Sequence, residues 1–459
     1  MDRQTYKIMK QLLITLVTIM IAYSGIGQFT VSANKRFILK DSRPFFWLGD
    51  TAWELFHVLN REEADMYLKK RSSQGFTVIQ AVVLSEYDGL HTPNANGDLP
   101  LRNDDPTKPI EAYFKHVDYI IDKAASYHLN IALLPTWGDK VYLDRWGKGP
   151  EIFNETNAGV YAAWLARRYK NKKNIIWVLG GDRNPRGDAD IKIWQAMGTA
   201  IMKETANKAL ITYHSQPNNT GSAEWFHNDS WLSFNMLQTG HCRETALYEK
   251  IETVYNLKPV KPVLDGEPIY EDHPVCFNEK ELGTSNAFDV RRSAYLSLFA
   301  GSFGHTYGCH DVWQMYSTKR PGINGPHVYW QEALDLPGAA QMKHVRKLME
   351  AFPMLERIPD QSLIKENKYG PASRIQATRG DDYLMVYSSA GDPFTLNLGV
   401  ISGQELNGYW YDPRTGNKTK VQALTNSGTK VFKPLSNSQG QDWILVLFDS
   451  RKKYNVLSK

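Results

Sequence analysis

Two acidic residues stand where strand-like runs break off. Trp177 to Pro185 reads WVLGGDRNP, an apolar run that gives way to two glycines and then to Asp182, Arg183 and Asn184. Further on, LDGEP sets Glu267 between Gly266 and Pro268. Glycine allows close backbone approach and sharp turns, and proline holds the chain extended on leaving the strand. Two carboxyls facing across a cleft are the minimum machinery for cutting a glycosidic bond. One must be protonated to release the leaving group; the other must be ionised to attack the anomeric carbon or to activate water. Taken singly, Asp182 could cap the helix expected over 190–207, and Glu267 could pair with an arginine. Phosphate-loop, nicotinamide, HExxH and GxSxG motifs do not occur, and no metal-ligand spacing is convincing: Asp182, Asp188 and Asp190 fit a calcium loop only in poor register. No cofactor is expected.

The pair works only if the fold brings it together. Eight short apolar runs read as buried parallel strands: FFWLGD (45–50), TVIQAVVL (77–84), NIALLPTW (130–137), NIIWVLGGD (174–182), ALITYHS (209–215), WLSFNML (231–237), KPVLDGE (261–267) and SFGHTYG (302–308). Amphipathic stretches lie between most of them, the first with a capping box from Asn60 to Glu63. This alternation predicts a (β/α)8 TIM barrel, whose weakest unit is the stretch 216–229 with no clear helix. A doubly wound sheet would more often follow its first strand with a glycine-rich loop, and LGDTAW is not one.

In such a barrel the fourth and seventh strand ends face each other across the mouth, which is where Asp182 and Glu267 fall. Polar residues gather at the same end of the other runs: Asp50, Glu86 with Asp88, Trp137 with Asp139, His214, Asn235 with Gln238, and His305 with Tyr307. From these, Asp50, Trp53, Arg183, Asn184, His214, Asn235 and Gln238 are expected to grip a sugar, Trp137 and Trp313 to stack on it, and His305 and Tyr307 to complete the floor. Past Pro353 the texture changes to short strands with turn signals (RGDD, AGDP, DPRTG), the rhythm of a β-sandwich. The expected division is 1–27 as a signal peptide, 30–355 as the barrel and 356–459 as a small all-β sandwich.

The bulk numbers, with 42% hydrophobic and 22% charged residues, read as an ordinary soluble globular protein. A net charge of +5 over 459 residues, without a dense basic cluster, argues against nucleic acid as a partner. Thirteen tryptophans and 24 tyrosines exceed ordinary usage, and flat rings suit the apolar faces of sugars. Cys242, Cys276 and Cys309 are odd in number and far apart, which argues against a disulfide scaffold. Lys7 and Lys10 precede LLITLVTIMIA and small residues up to Gly27, a pattern that predicts a cleaved secretory signal, an exported protein and no stable membrane span.

Taken together, FFWLGDTAWELFHVLNREEADMYLKKRSSQGFTVIQ, NIALLPTWGDKV, NIIWVLGGDRNP, KPVLDGEPIYE and GCHDVWQMY resemble the apiosidase-like glycoside hydrolases, family 140, of gut-type Bacteroidetes, over roughly residues 30 to 355. The tail containing GYWYDPRTG resembles the collagen-binding-like β-sandwich often attached to that barrel. The resemblance implies Asp182 as acid/base, Glu267 as nucleophile, a retaining mechanism and apiose in pectic rhamnogalacturonan-II side chains as the substrate. Related barrels carry Asn-Glu after the fourth strand, where this chain has Gly181-Asp182. The alternatives are an endo-acting β-glycanase on the same barrel and a non-catalytic carbohydrate- or matrix-binding protein. Long inserts over 85–109 and 306–337 would wall off a pocket and favour exo action on an oligo- or polysaccharide.

Overall fold

The protein is described by a computed structural model covering residues 29–454, apart from 145 and 367–369. The expected signal peptide, 1–27, lies outside these residues. Eight parallel strands form a nearly closed barrel: β1 (Leu48–Thr51), β2 (Val78–Leu84), β3 (Asn130–Thr136), β4 (Ile175–Gly180), β5 (Ile211–His214), β6 (Asn235–Leu237), β7 (Val263–Asp265) and β8 (His305–Tyr307). Every residue of these strands is buried, which is why they read as unbroken apolar runs and not as alternating ones. The ladders run continuously from β5 through β1 to β8, β7 and β6. The remaining seam, between β5 and β6, is closed by single bonds: Ser233 N–H donates to the Ile211 carbonyl at 2.8 Å and the Thr212 hydroxyl to the Phe234 carbonyl at 2.7 Å.

A helix follows each strand: α1 (Arg61–Ser73), α2 (Glu111–Ser126), α3 (Glu155–Tyr169), α4 (Asp188–Glu204), α5 (Ala223–Phe226), α6 (Leu247–Tyr255), α7 (Ala287–Phe299) and α8 (Pro337–Glu350). The Asn60–Glu63 capping box closes the start of α1 in both directions. The segment after β5 yields only the four-residue α5, the unit that the sequence marks as weakest. Among the described residues no helix is long and apolar enough to cross a membrane.

Beyond α8 the chain forms an antiparallel six-stranded sheet, from Ile358–Pro359 to Trp443–Asp449, and a two-stranded ribbon of Phe394–Asn397 and Thr429–Phe432. One face of the six-stranded sheet closes on its own core around Leu384, Leu406 and Leu445. The other face carries Met385, Tyr387, Tyr411 and Val446, which join the barrel's core. This explains α7, whose sequence AFDVRRSAYLSLF is buried almost all round: the barrel covers one side and the sheet the other. Arg291 on α7 makes a bidentate pair with Asp442 of the sheet at 2.8 and 2.6 Å, and Tyr387 donates to the same carboxylate.

The cysteine expectation needs correction. Cys242 and Cys276 form a disulfide, with Cα atoms 4.6 Å apart, and Cys309 is free and buried. Their distance in sequence is misleading because the loops leaving the neighbouring parallel strands β6 and β7 lie side by side.

Asp442→Ala should leave the buried Arg291 guanidinium without its counter-ion and cost about 3–5 kcal/mol. Denaturant unfolding measures this; a loss below about 1 kcal/mol would show that the pair does not hold the sheet to the barrel.

Candidate active site

The site begins at the end of β4. Gly180, Gly181 and Asp182 take positive φ in succession, at 87°, 100° and 55°. Such backbone is cheap for glycine and tolerable for aspartate. The two glycines are also needed for space. A Cβ on Gly180 would meet the His214 carbonyl at 2.2 Å, and one on Gly181 would stand 2.9 Å from the Gly138 nitrogen. The Gly138 N–H donates to the Gly181 carbonyl and the Gly181 N–H to the His214 carbonyl. The ends of β3, β4 and β5 are thereby laced together, and Asp182 projects from the lacing.

Arg183 is expected on the sugar but does different work. Its guanidinium is spent on the carbonyls of Tyr142, Asp182 and Trp146, and its own carbonyl accepts from the Tyr213 hydroxyl. It braces the loop after β3 against the Asp182 turn. Helix capping does not account for Asp182 either, since α4 starts only at Asp188 behind Gly187.

His214 ties the two acids together. The Asp182 N–H donates to its Nδ1 at 3.2 Å, which assigns the ring proton to Nε2. Nε2 lies 3.0 Å from Glu267 Oε2, and His241 Nε2 lies 3.2 Å from Oε1. Both imidazoles thus stand within hydrogen-bonding reach of the Glu267 carboxylate, and they favour its ionised form by hydrogen bonding first and by charge second. Burial alone would raise the Glu267 pKa, but the two histidines outweigh it and lower it to about 2. Asp182 shifts the opposite way, to about 6, through burial first and the Glu267 charge second. Near pH 5 one carboxyl is therefore protonated and the other ionised.

Both carboxyls line a cavity of about 660 Å³ together with Trp53, Trp137, Gln238 and Trp313. Trp53 packs against Trp137 and His214, each at 5.3 Å between ring centres, and Trp313 stacks on Tyr87 at 5.8 Å. Asp182 Oδ1, Gln238 Oε1 and Trp137 Nε1 are buried without a hydrogen-bond partner. Orphaned polar atoms are costly in a folded protein, and their gathering at one cavity marks a place built for a polar ligand.

Six other expected residues lie off the cavity, and the first is His214, which is fully buried and turned to Glu267 instead of a sugar. Asp50 points out of the barrel to α1, where Arg71 pairs with it at 2.7 Å and the Tyr67 hydroxyl donates to it. Tyr307 faces the same layer and donates to Glu271, which also accepts from the Gly338 N–H at the start of α8. Successive strand residues alternate between faces, and these two fall on the helix side. Asn235 starts β6 instead of ending it and bonds to His227; Gln238, three residues on, is the one that reaches the cavity. His305 is fully buried and held neutral, its pKa lowered by burial to about 3. Asn184 is partly buried and does not line the cavity.

Other lining residues were not singled out from the sequence. His241 and Tyr270 follow β6 and β7, and Trp146 and Phe277 stack at 5.6 Å on the rim. Their signal was weak because loop residues have no periodicity to place them; LQTGHC, with a histidine just past a strand end, was the best available hint.

The family model described as "Apiosidase-like, catalytic domain" matches residues 32–356, and a model named for the collagen-binding domain of a collagenase matches 358–448. A solved structure titled a glycoside hydrolase is 36% identical, with a TM-score of 0.85, covering 93% of this chain and 98% of its own. A Bacteroides vulgatus structure, titled a family 5 glycoside hydrolase, is also 36% identical, with a TM-score of 0.86 and coverage of 94% and 95%. A second B. vulgatus structure at 14% identity and a TM-score of 0.68, covering 92% and 82%, shares the fold. No curated protein matches the chain by sequence.

The Asp182 environment can be tested through stability. Its folded pKa of about 6 exceeds the unfolded value of about 3.9, so the folded state binds the extra proton in between. Stability is then lost as pH rises from about 4 through about 6. Asp182→Asn should match the parent at pH 4 and exceed it at pH 7.5 by about 1–2 kcal/mol, allowing for solvent in the cavity. Unfolding curves at the two pH values check this; the same difference at both would mean that Asp182 titrates normally.

Proposed function

We propose that this chain, which belongs to the apiosidase-like family and is a glycosidase, releases apiose from pectic rhamnogalacturonan-II side chains with retention of configuration. The observation that carries the mechanism is the opposed pair of acids: Asp182 is raised and Glu267 lowered within one cavity. In the first step Glu267 attacks the anomeric carbon while Asp182 gives its proton to the departing glycosidic oxygen. In the second, Asp182 takes a proton from water, the water oxygen attacks the same carbon, and the Glu267 ester bond breaks. His214 and His241 favour the ionised form of Glu267 that the first step requires.

The substrate reading rests on the family and on the cavity. At about 660 Å³ the cavity falls in the range that holds more than a single sugar ring. The Trp146–Phe277 rim suits the sugar on the leaving-group side. Export follows from the basic, apolar and small-residue start of the chain, and the Cys242–Cys276 disulfide suits an oxidising compartment.

Incubation with a panel of rhamnogalacturonan-II side-chain oligosaccharides should release free apiose. Glu267→Gln should reduce this by at least about 10³-fold, and proton NMR of the first product should show the anomer of the substrate. Release of oligosaccharides in place of a monosaccharide would favour the endo-acting reading; unaltered hydrolysis by Glu267→Gln and Asp182→Asn would overturn the assignment. The rate constant kcat/KM should climb as Glu267 ionises, near pH 2, and fall as Asp182 loses its proton above about pH 6.

A further inference from the structure

We propose that Glu86 binds the substrate, its carboxyl hydrogen-bonding a hydroxyl of the neutral sugar seated against Asp182. This rests on the glycosidase reading of the cavity and adds to it a third acid with a separate task.

Glu86 lies two residues past β2, lines the cavity with Asp182 and Trp137, and is only 7% exposed. Its neighbours fix the backbone on both sides. The Ser85 hydroxyl bonds to His57 at 2.9 Å and the Ser85 carbonyl accepts from Lys140. The Tyr87 N–H approaches Glu54, and the Tyr87 ring stacks on Trp313. The chain is thus held while the Glu86 carboxyl, among the described residues, receives no hydrogen bond and forms no ion pair. With no protein partner, this carboxyl is left to bind whatever enters the cavity that it lines.

The surroundings say what kind of ligand. Burial first, then the charges of Asp182, Glu54 and Asp139, push the Glu86 pKa well up, and Arg183 opposes them. Arg183 cannot serve as its salt-bridge partner because its guanidinium is taken up by three backbone carbonyls. These surroundings favour the neutral –COOH form, which can both donate to and accept from a sugar hydroxyl. Glu54 is itself engaged with His57 and Arg320, and Asp139 with Lys140 and the Lys148 and Gly149 N–H groups. Glu86 is therefore the carboxyl of that group left for the ligand. A uronate carboxylate at the same place would face Asp182 and Glu267 without a cation to pair with, so this position selects a neutral sugar within an otherwise acidic polysaccharide.

The test compares Glu86→Gln, which keeps a donor and an acceptor, with Glu86→Ala, which keeps neither. Two apiosides serve as substrates, a natural side-chain oligosaccharide and a nitrophenyl glycoside whose leaving group needs no proton. Glu86→Ala should lower kcat/KM about 10–100-fold on both, and Glu86→Gln should restore most of that loss. Apiose should raise the Tm of the parent and of Glu86→Gln but not of Glu86→Ala, and galacturonate should raise none of them. If Glu86→Ala does not fold, Glu86→Met replaces it.

Three results would overturn the proposal. One is an unchanged kcat/KM for Glu86→Ala. Another is a Glu86→Gln as damaged as Glu86→Ala. The third is a loss confined to the natural substrate, which would make Glu86 the proton donor. Asp182→Ala and Glu267→Ala are run alongside. If these two retain hydrolysis, it is the glycosidase assignment of the pair that fails, while apiose-induced Tm shifts still decide the role of Glu86.

Discussion

Two carboxyls sharing one buried cavity cannot both ionise cheaply, and the site is organised around that constraint. Each negative charge raises the cost of the other, and burial raises both. The protein settles the contest by unequal surroundings. Glu267 has the imidazoles of His214 and His241 within 3.2 Å, whereas Asp182 is left with its burial and a neighbour that is already charged. His214 carries both ends of the arrangement, since the same ring that accepts the Asp182 N–H turns its other nitrogen toward Glu267. Its position follows from the lacing of β3, β4 and β5, which in turn depends on Gly180 and Gly181 having no side chains.

Holding such a mouth open needs rigidity below it and behind it. Asp50, Arg71, Tyr67, Tyr307 and Glu271 form a buried polar cluster that ties β1 and β8 to the helices outside them. These groups sit at the level of the site but face away from it, so they fix where the strands end without meeting a ligand. The C-terminal sheet does comparable work on the far side of α7 through Arg291, Asp442 and a shared apolar core. Its packing on the barrel identifies one physical task for this domain, the covering of an apolar helix face.

The barrel was legible because buried parallel strands leave long apolar runs and helices leave amphipathic ones, both local patterns. All eight runs contain strands, most of them shorter than the run; the first is shifted to end at Thr51 and the sixth keeps only its last three residues. The misplacements share one cause. Asp50 and Tyr307 are polar residues near strand ends, as Asp182 is, yet in a strand buried on both faces the sequence does not say which side is the interior. Asn235 was placed near the mouth because apolar residues before β6 extended the apparent strand. Arg183 looked like a ligand until its guanidinium was seen to be taken up by backbone carbonyls from a loop some forty residues earlier. The disulfide was hidden in the same way, since only the neighbouring positions of β6 and β7 bring Cys242 to Cys276.

The sequence by itself determined the repeating β/α units, the change to short antiparallel strands past Pro353, and the carboxylates that follow the fourth and seventh strands. These follow from periodicity and turn chemistry, which act over a few residues. Tertiary structure alone decided which polar residues share the cavity, that His214 and His241 converge on Glu267, and that Glu86 stands there without a partner. The physical reason is that protonation state and ligand-binding capacity depend on burial and on charges brought near from distant parts of the chain, and neither exists until the barrel closes.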